Sequence, residues 1–292
     1  MTPPAERPTL HRLAENVGRA AAIDRPAEAV AGAVRDAVPR GPVKDALSGT
    51  PLGHAMHPLL TDLPIGTWTA AALLDVLGGR DSRGASERLI AIGVLAAAPT
   101  AATGLNDWAD TTPASDSVRR IGAVHAVANV AALGLYAASW AARRRGRHGR
   151  GVALGLAGLG ALTVGGHLGG HLSYSKAVGV DQTALEAGPP EWTVVFDDAA
   201  LPEGGLRSAR LHDTTIVLAR VNGEVHALAD RCAHRGGALH EGELVDGCVQ
   251  CPLHGSRFRL EDGSVERGPS AYPQPRYDVR VRDGRIAVRV AG

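Results

Sequence analysis

Along the 292-residue chain, apolar and polar positions follow two different rhythms. In the first half the apolar residues run together. LLTDLPIGTWTAAALLDVL occupies residues 59–77, LIAIGVLAAAPTAATGL 89–105, IGAVHAVANVAALGLYAASWAA 121–142 and GVALGLAGLGALTVGGHLGGHL 151–172. The last three contain no Asp, Glu, Lys or Arg, and all approach the ~20 residues that a bilayer-spanning helix needs. They are rich in Ala and Gly, whose small side chains let membrane helices approach closely. The pattern predicts four transmembrane helices in a compact bundle. Buried Ala-rich helices of a soluble protein would fit less well, because two of the runs reach 22 residues without a charge.

The second half changes period. From about residue 191 to 290 the chain reads as short β segments separated by turn signals. TTIVLARV, Asn222-Gly223 and EVHALAD make one hairpin with a favoured two-residue turn, and YDVRVRD, Gly284 and RIAVRV make a second. The fold expected is therefore multidomain, an all-α four-helix transmembrane bundle followed by an all-β domain. The divisions are an N-terminal segment over 1–50, the spans over 51–175, a linker over 176–190 and the β domain over 191–292. In the N-terminal segment, RPAEAVAGAVRDAV places Val30, Val34 and Val38 at helical spacing. This predicts an amphipathic helix lying on the membrane surface or against the bundle. No secretory signal is expected, since the first forty residues lack an apolar core of the needed length. Pro189 and Pro190 stiffen the linker.

Whole-chain composition hides this division, because a polar half and an apolar half average out. A net charge of +1, with no basic patch interleaved with aromatics, gives no reason to expect nucleic acid. Cysteine is more informative. The chain has three, all in two short stretches, CAHRGG and CVQCPLHGSRF. An odd number in a long chain argues against a disulfide framework. Cys232, Cys248 and Cys251 with one histidine could hold a structural zinc. The order Cys232-x-His234, sixteen residues, then Cys251-x-x-His254 instead offers one soft sulfur and one nitrogen from each loop. Gly236, Gly237 and Gly255 permit the tight turns such loops need, and Pro252 stiffens the second. Cys248 lies in a strand-like run and reads as a small buried thiol. His240 reads as a surface or loop histidine.

The pattern C-x-H…C-P-L-H-G resembles the Rieske iron–sulfur family, over the whole β region. The resemblance implies a ferredoxin-type Rieske fold and a [2Fe–2S] cluster, with Cys232 and Cys251 on one iron and His234 and His254 on the other. Respiratory-complex members of the family carry an additional disulfide-forming cysteine in each loop, where this chain has Gly237 and Leu253. They also place a tyrosine where Phe258 stands. Ser256 remains to hydrogen-bond a cluster sulfur. The resemblance is thus to the lower-potential, ferredoxin-like type. It implies an electron carrier and not a self-contained oxygenase, whose mononuclear iron site the residues after His254 do not supply.

The apolar half has its own resemblance. GHAMHPLLTDLPIGTW, TGLNDW and the GGHL…VGV run resemble a bacterial four-helix membrane domain of unknown function, with Asp62 in place of a histidine of its opening motif. Five histidines, His54, His57, His125, His167 and His171, lie in or beside the spans. Ionisable side chains there usually face the bundle interior and mark a functional path. Beside a redox domain they are candidates for haem b or quinone binding. The ordinary alternative is hydrogen bonding between helices or at the headgroups. The expected function is a membrane-anchored one-electron carrier serving a redox partner protein or quinone. A zinc-stabilised non-redox module and a cluster-based redox or nitric-oxide sensor are the alternatives. Arg143, Arg144, Arg145, Arg147 and Arg150 in one loop, and Arg80, Arg83 and Arg88 in another, place both loops in the cytoplasm of a bacterial multi-pass protein. The β domain would then face outward. Adjacent arginines ahead of the fourth run loosely resemble an internal twin-arginine export signal.

Overall fold

The computed structural model describes residues 8–112, 115–186 and 188–291. Among these the helices are α1 (Thr9–Gly18), α2 (Asp24–Ala37), α3 (Pro42–Ser48), α4 (Met56–Leu77), α5 (Arg83–Thr111), α6 (Asp116–Arg144) and α7 (His148–Gly170). The last continues as a π-helical turn over His171–Ser175. Ten strands follow: β1 (Thr193–Asp197), β2 (Leu206–Leu211), β3 (Thr214–Val221), β4 (Glu224–Ala229), β5 (Glu243–Val245), β6 (Cys248–Gln250), β7 (Arg257–Arg259), β8 (Val265–Arg267), β9 (Arg276–Arg282) and β10 (Arg285–Val290). The chain forms two compact units. One comprises Met1–Val38 with Met56–Val178, and the other Pro39–Ala55 with Gly179–Gly292.

In the helical unit, small residues set the packing. The Trp68 and Tyr136 rings stack with centroids 4.1 Å apart and planes 11° from parallel. A Cβ on Gly93 would lie 2.2 Å from the Trp68 indole nitrogen, so only glycine fits that close approach. The outer faces stay apolar: Leu95, Val127 and Val130 are 68%, 68% and 67% exposed. Three helical stretches, Arg83–Thr111, Asp116–Arg144 and His148–Ser175, are long and apolar enough to cross a membrane. The first predicted span, now α4, is not in that set, its hydropathy being lowered by Asp62 and Asp75.

Two findings depart from the sequence reading. Arg143 is not a loop charge. It lies at the end of α6 with 1% of its side chain exposed and forms a two-toothed ion pair with Asp75 of α4 (2.5 and 2.9 Å). Ser86 of α5 donates to the same carboxylate at 2.7 Å, and Ser139 donates to Gly151 O at 2.6 Å, so one polar knot joins all four long helices. In α2, Val30 does not pack inward and is 50% exposed; Ala27 and Ala31 are buried in its place. The smaller alanines let the α2 backbone approach, while Arg35 reaches over to donate to Ala109 O at 2.9 Å and Thr112 Oγ1 at 2.7 Å.

The β unit contains a six-stranded antiparallel sheet in the order β1-β10-β9-β4-β3-β2 and a four-stranded sheet β5-β6-β7-β8. The Asn222-Gly223 turn joins β3 to β4 with positive φ at both residues, as does Asp283-Gly284 between β9 and β10. That geometry matches the right-handed strand twist and explains the Asn-Gly and Asp-Gly choices. Both faces of β3 are covered. Ile216 and Leu218 join a core with Ile286, Val288 and Tyr277, while Val217 joins Val249, Phe258 and Leu260 beneath the loops that carry Cys232 and Cys251.

Candidate metal centre

Cys232 lies two residues beyond Asp230, just after β4, and Cys251 directly after β6. The two loops they open are backbone copies of one another. In the first, Gly236 N–H donates to Cys232 O at 2.7 Å and Cys232 N–H to Gly237 O at 2.8 Å. In the second, Gly255 N–H donates to Cys251 O at 3.0 Å and Cys251 N–H to Ser256 O at 2.8 Å. Gly236 and Gly255 occupy the same place in each loop with φ of +68° and +79°, where a side chain would strain the turn. Each sulfur also accepts two backbone N–H groups, from His234 and Arg235 in one loop and Leu253 and His254 in the other. Backbone N–H groups aimed at sulfur favour thiolate over thiol.

The loops meet. A Cβ on Gly237 would stand 2.9 Å from Leu253 Cδ1 and 3.1 Å from Cys251 Sγ. The thiols of Cys232 and Cys251 lie within hydrogen-bond reach of each other. That contact draws Cys251 down to about 7 and, with burial, holds Cys232 well above its ordinary value. The His234 and His254 rings stand edge to face with centroids 5.0 Å apart. Burial keeps the His234 imidazole neutral, lowering its proton affinity well below the usual value. Its Nδ1 is sealed from solvent and has no hydrogen-bond partner. A neutral imidazole with a buried unmatched nitrogen, beside two sulfurs surrounded by N–H donors, suits a metal centre with mixed sulfur and nitrogen ligands.

Residues 191–278 match the Rieske [2Fe-2S] domain model. The same region is 38% identical over 92 residues to the 3-phenylpropionate/cinnamic acid dioxygenase ferredoxin subunit of Photorhabdus laumondii, covering 31% of this chain and 87% of that one. The chain belongs to the Rieske [2Fe-2S] family. Residues 53–182 match a second family, described as a predicted membrane protein (DUF2231). Two further relatives match over a similar length but a smaller share of their own chains. The cytochrome b6-f complex iron-sulfur subunit of Chlorobaculum tepidum is 30% identical over 91 residues, 31% of this chain and 49% of that one. Apoptosis-inducing factor 3 of Mus musculus is 32% identical over 91 residues, again 31% of this chain but 15% of that protein. A Rieske domain implies a [2Fe–2S] cluster, and the donors described above fit one.

Around the Rieske loops, Cys248 is buried on β6, its thiol directed at Asp246 O at 3.8 Å. His240 is half-buried and bonded through Nδ1 to Asp230 at 2.7 Å. Ser256 is fully buried, and its hydroxyl oxygen accepts Ser270 N–H at 3.0 Å, which leaves its proton for another acceptor. Sequence reasoning passed over Gln274. Its amide donates to Ala229 O and Arg231 O (2.7 and 2.6 Å) and accepts from Ala233 N (3.0 Å), fixing the backbone on both sides of Cys232. A polar residue between Pro273 and Pro275 was the only signal for it. The segment read as a linker also holds this loop, since Gln182 N–H donates to Ala233 O at 3.0 Å.

The five membrane-half histidines have separate partners, although His57 and His125 lie near enough for one charge to be felt at the other. His54 is exposed and belongs to the β unit. His57 and His125 are half-buried, and each directs Nδ1 at a backbone carbonyl of a neighbouring helix, Thr100 O at 3.0 Å and Gly165 O at 2.8 Å. His167 is exposed. His171, buried, bonds Glu15 of α1 at 3.1 Å beside His11. The Lys176 ammonium lies 2.8 Å from the same Glu15 oxygen, so that cluster carries its own cation.

Proposed function

We propose that this protein is a membrane-anchored one-electron carrier whose cluster is held by Cys232, His234, Cys251 and His254. The observation that carries the reading is the pair of duplicate loops, each presenting one sulfur ringed by N–H donors and one imidazole at a shared buried point. The bound cluster would supply one-electron redox chemistry. The chain's own part is to hold the thiolates with backbone N–H groups, keep His234 neutral, and exclude water with Val249, Phe258 and Leu260 beneath. Its partner is a redox protein or a quinone, by analogy with relatives named as ferredoxin and cytochrome-complex subunits. No haem is assigned to the helical unit, because His57 and His125 each direct Nδ1 at a backbone carbonyl, His171 is bonded to Glu15 and His167 is exposed.

The helical unit is read as a four-span anchor. The composition of the β unit supports this. Pro39–Ala55 precedes α4, Gly179–Gly292 follows α7, and the two pack as one body. A membrane between them is compatible only with an even number of crossings, so α4 crosses despite its two aspartates. Asp75 is neutralised in the bundle by Arg143. Arg144, Arg145, Arg147 and Arg150 around the α6–α7 connection, with Arg80, Arg83 and Arg88 around the α4–α5 connection, orient both connections to the cytoplasm and the Rieske domain outward.

Metal and acid-labile sulfide analysis of the purified chain tests the cofactor. About two irons and two sulfides per chain are expected; zinc without sulfide returns the loops to a structural role. Protease treatment of intact spheroplasts tests the orientation, and survival of the Rieske domain until lysis contradicts it.

A further inference from the structure

Ahead of the first span, RGPVKDALSG folds as a short independent piece of the β unit. Pro42 begins α3, where its missing N–H costs nothing, and Gly49 ends it in the left-handed region with φ +85°. The helix is pinned to the Rieske domain at named points. Thr50 Oγ1 donates to Ser270 O at 2.9 Å, and Ser270 N–H in turn donates to Ser256 Oγ of the second loop at 3.0 Å. Asp45 accepts the Gly268 N–H. A Cβ on Gly268 would come within 2.1 Å of Thr50 Oγ1, so the strap lies flush on that backbone.

The strap brings positive charge to both ligand loops. The Arg40 guanidinium lies directly over Gly255, with Cζ, Nε and Nη1 each 2.9 Å from where a Cβ would be. It is close enough to act on the Cys251 thiol. Lys44 is only 5% exposed and acts on His234.

We propose that the segment Pro39–Ala55 is a built-in cap of the cluster loops, and that Arg40 and Lys44 are positioning residues that raise the potential at which the cluster accepts its electron. The inference rests on the ligand set proposed above. Reduction adds one negative charge to the centre, and nearby fixed cations stabilise the reduced form more than the oxidised one. Exposed Arg40 is screened by salt and buried Lys44 is not, so Lys44 has the larger effect.

Redox titration of the full chain in detergent at low ionic strength, followed by the cluster's visible absorption, measures this. Arg40→Gln shifts the oxidised-to-reduced equilibrium about threefold toward the oxidised form, ~28 mV lower at ~59 mV per tenfold for one electron. Arg40→Glu shifts it roughly twice as far in mV, and Arg40→Lys restores the original potential. Lys44→Met shifts it about tenfold, ~59 mV. Arg40 is exposed, so its series decides the matter if Lys44→Met does not load the cluster. As an independent readout, Thr50→Val should raise the rate of cluster bleaching by a chelator several-fold. A chain that never shows [2Fe–2S] absorption refutes the ligand set. Normal absorption with a flat Arg40 series, or an unchanged bleaching rate in Thr50→Val, overturns the cap alone.

Discussion

The two units place their polar and apolar groups in opposite ways. The helical unit buries an ion pair where its long helices end, Asp75–Arg143 with side chains 2% and 1% exposed, and leaves Leu95, Val127 and Val130 facing out. The β unit encloses Ile216, Leu218, Phe258 and Ile286 at 0% exposure, and the charged side chains it buries, Lys44 and Asp230, lie beside the ligand loops rather than in that core. In water the first arrangement would be penalised and the second favoured. In a bilayer the outward leucines and valines cost nothing, and specificity has to come from polar contacts and close backbone approach. On the proposed membrane reading, the difference teaches that each unit is held by whatever its surroundings do not supply: a polar knot among lipid, an apolar core beneath the loops in water.

Breaking each unit at its own anchor should leave the other intact. The largest effect falls on the loops. Replacing any one of Cys232, His234, Cys251 or His254 by alanine should remove the cluster absorption entirely, while Cys248→Ser retains it and the helical content by circular dichroism stays unchanged. Bleaching by Cys248→Ser as complete as that by Cys251→Ser contradicts the ligand set.

Next in size is the helical knot. Asp75→Asn leaves Arg143 buried without its counter-charge and should destabilise the helical unit by about 3–5 kcal/mol, read as a lower midpoint of unfolding in mixed detergent. The double change Asp75→Leu with Arg143→Met removes both charges and should recover most of that loss. Cluster absorption should not change in either. If the double variant is as unstable as the single one, the pair is more than a neutralised charge.

A smaller change sharpens the contrast from the β side. Gln274→Leu orphans the Ala233 N–H and two carbonyls around Cys232, at about 1–3 kcal/mol for a buried group left unmatched. The cluster should still assemble but be lost faster on warming. Equal cluster lifetimes in the variant and the parent would remove Gln274 from the account.

The smallest effect is a pH dependence confined to the helical unit. Hydrogen bonds from Arg120 and then Arg119 hold the Asp24 carboxyl well below its ordinary value. A depressed carboxylate contributes stability above its unfolded pKa of about 4 and loses it as pH falls further. Hydrogen exchange across α1 and α2 should therefore rise modestly below pH 4 in the parent, and Asp24→Asn should already show the raised level at neutral pH. Cluster absorption offers the control at neutral pH.

Much of this was legible in the chain. The uncharged runs marked the long helices, Asn222-Gly223 and Gly284 marked two hairpins, and the spacing of Cys232, His234, Cys251 and His254 marked the loops, because each signal is local. What escaped depends on residues far apart in sequence. Arg143 sits in RRRGR and looks like its neighbours until Asp75, 68 positions away, is brought to it. Gln274 becomes a loop anchor only when β9 pairs with β4. Residues 39–50 read as part of an N-terminal amphipathic segment and 51–55 as the start of the span region, since nothing near Lys44 or Thr50 points to a β domain that begins over a hundred residues later. In α2 the larger valines drew attention, whereas close packing favoured Ala27 and Ala31.

An EPR-monitored redox titration of the purified full chain tests the central claim most directly. The account predicts a protein silent when oxidised that develops a [2Fe–2S] signal on reduction, following a single one-electron curve, with a potential that falls as pH rises through the alkaline range because the imidazole ligands lose protons more readily on the oxidised centre. A chain that stays silent at every potential, or a signal whose potential is flat from neutral to strongly alkaline pH, would contradict a cluster held by two cysteines and two histidines.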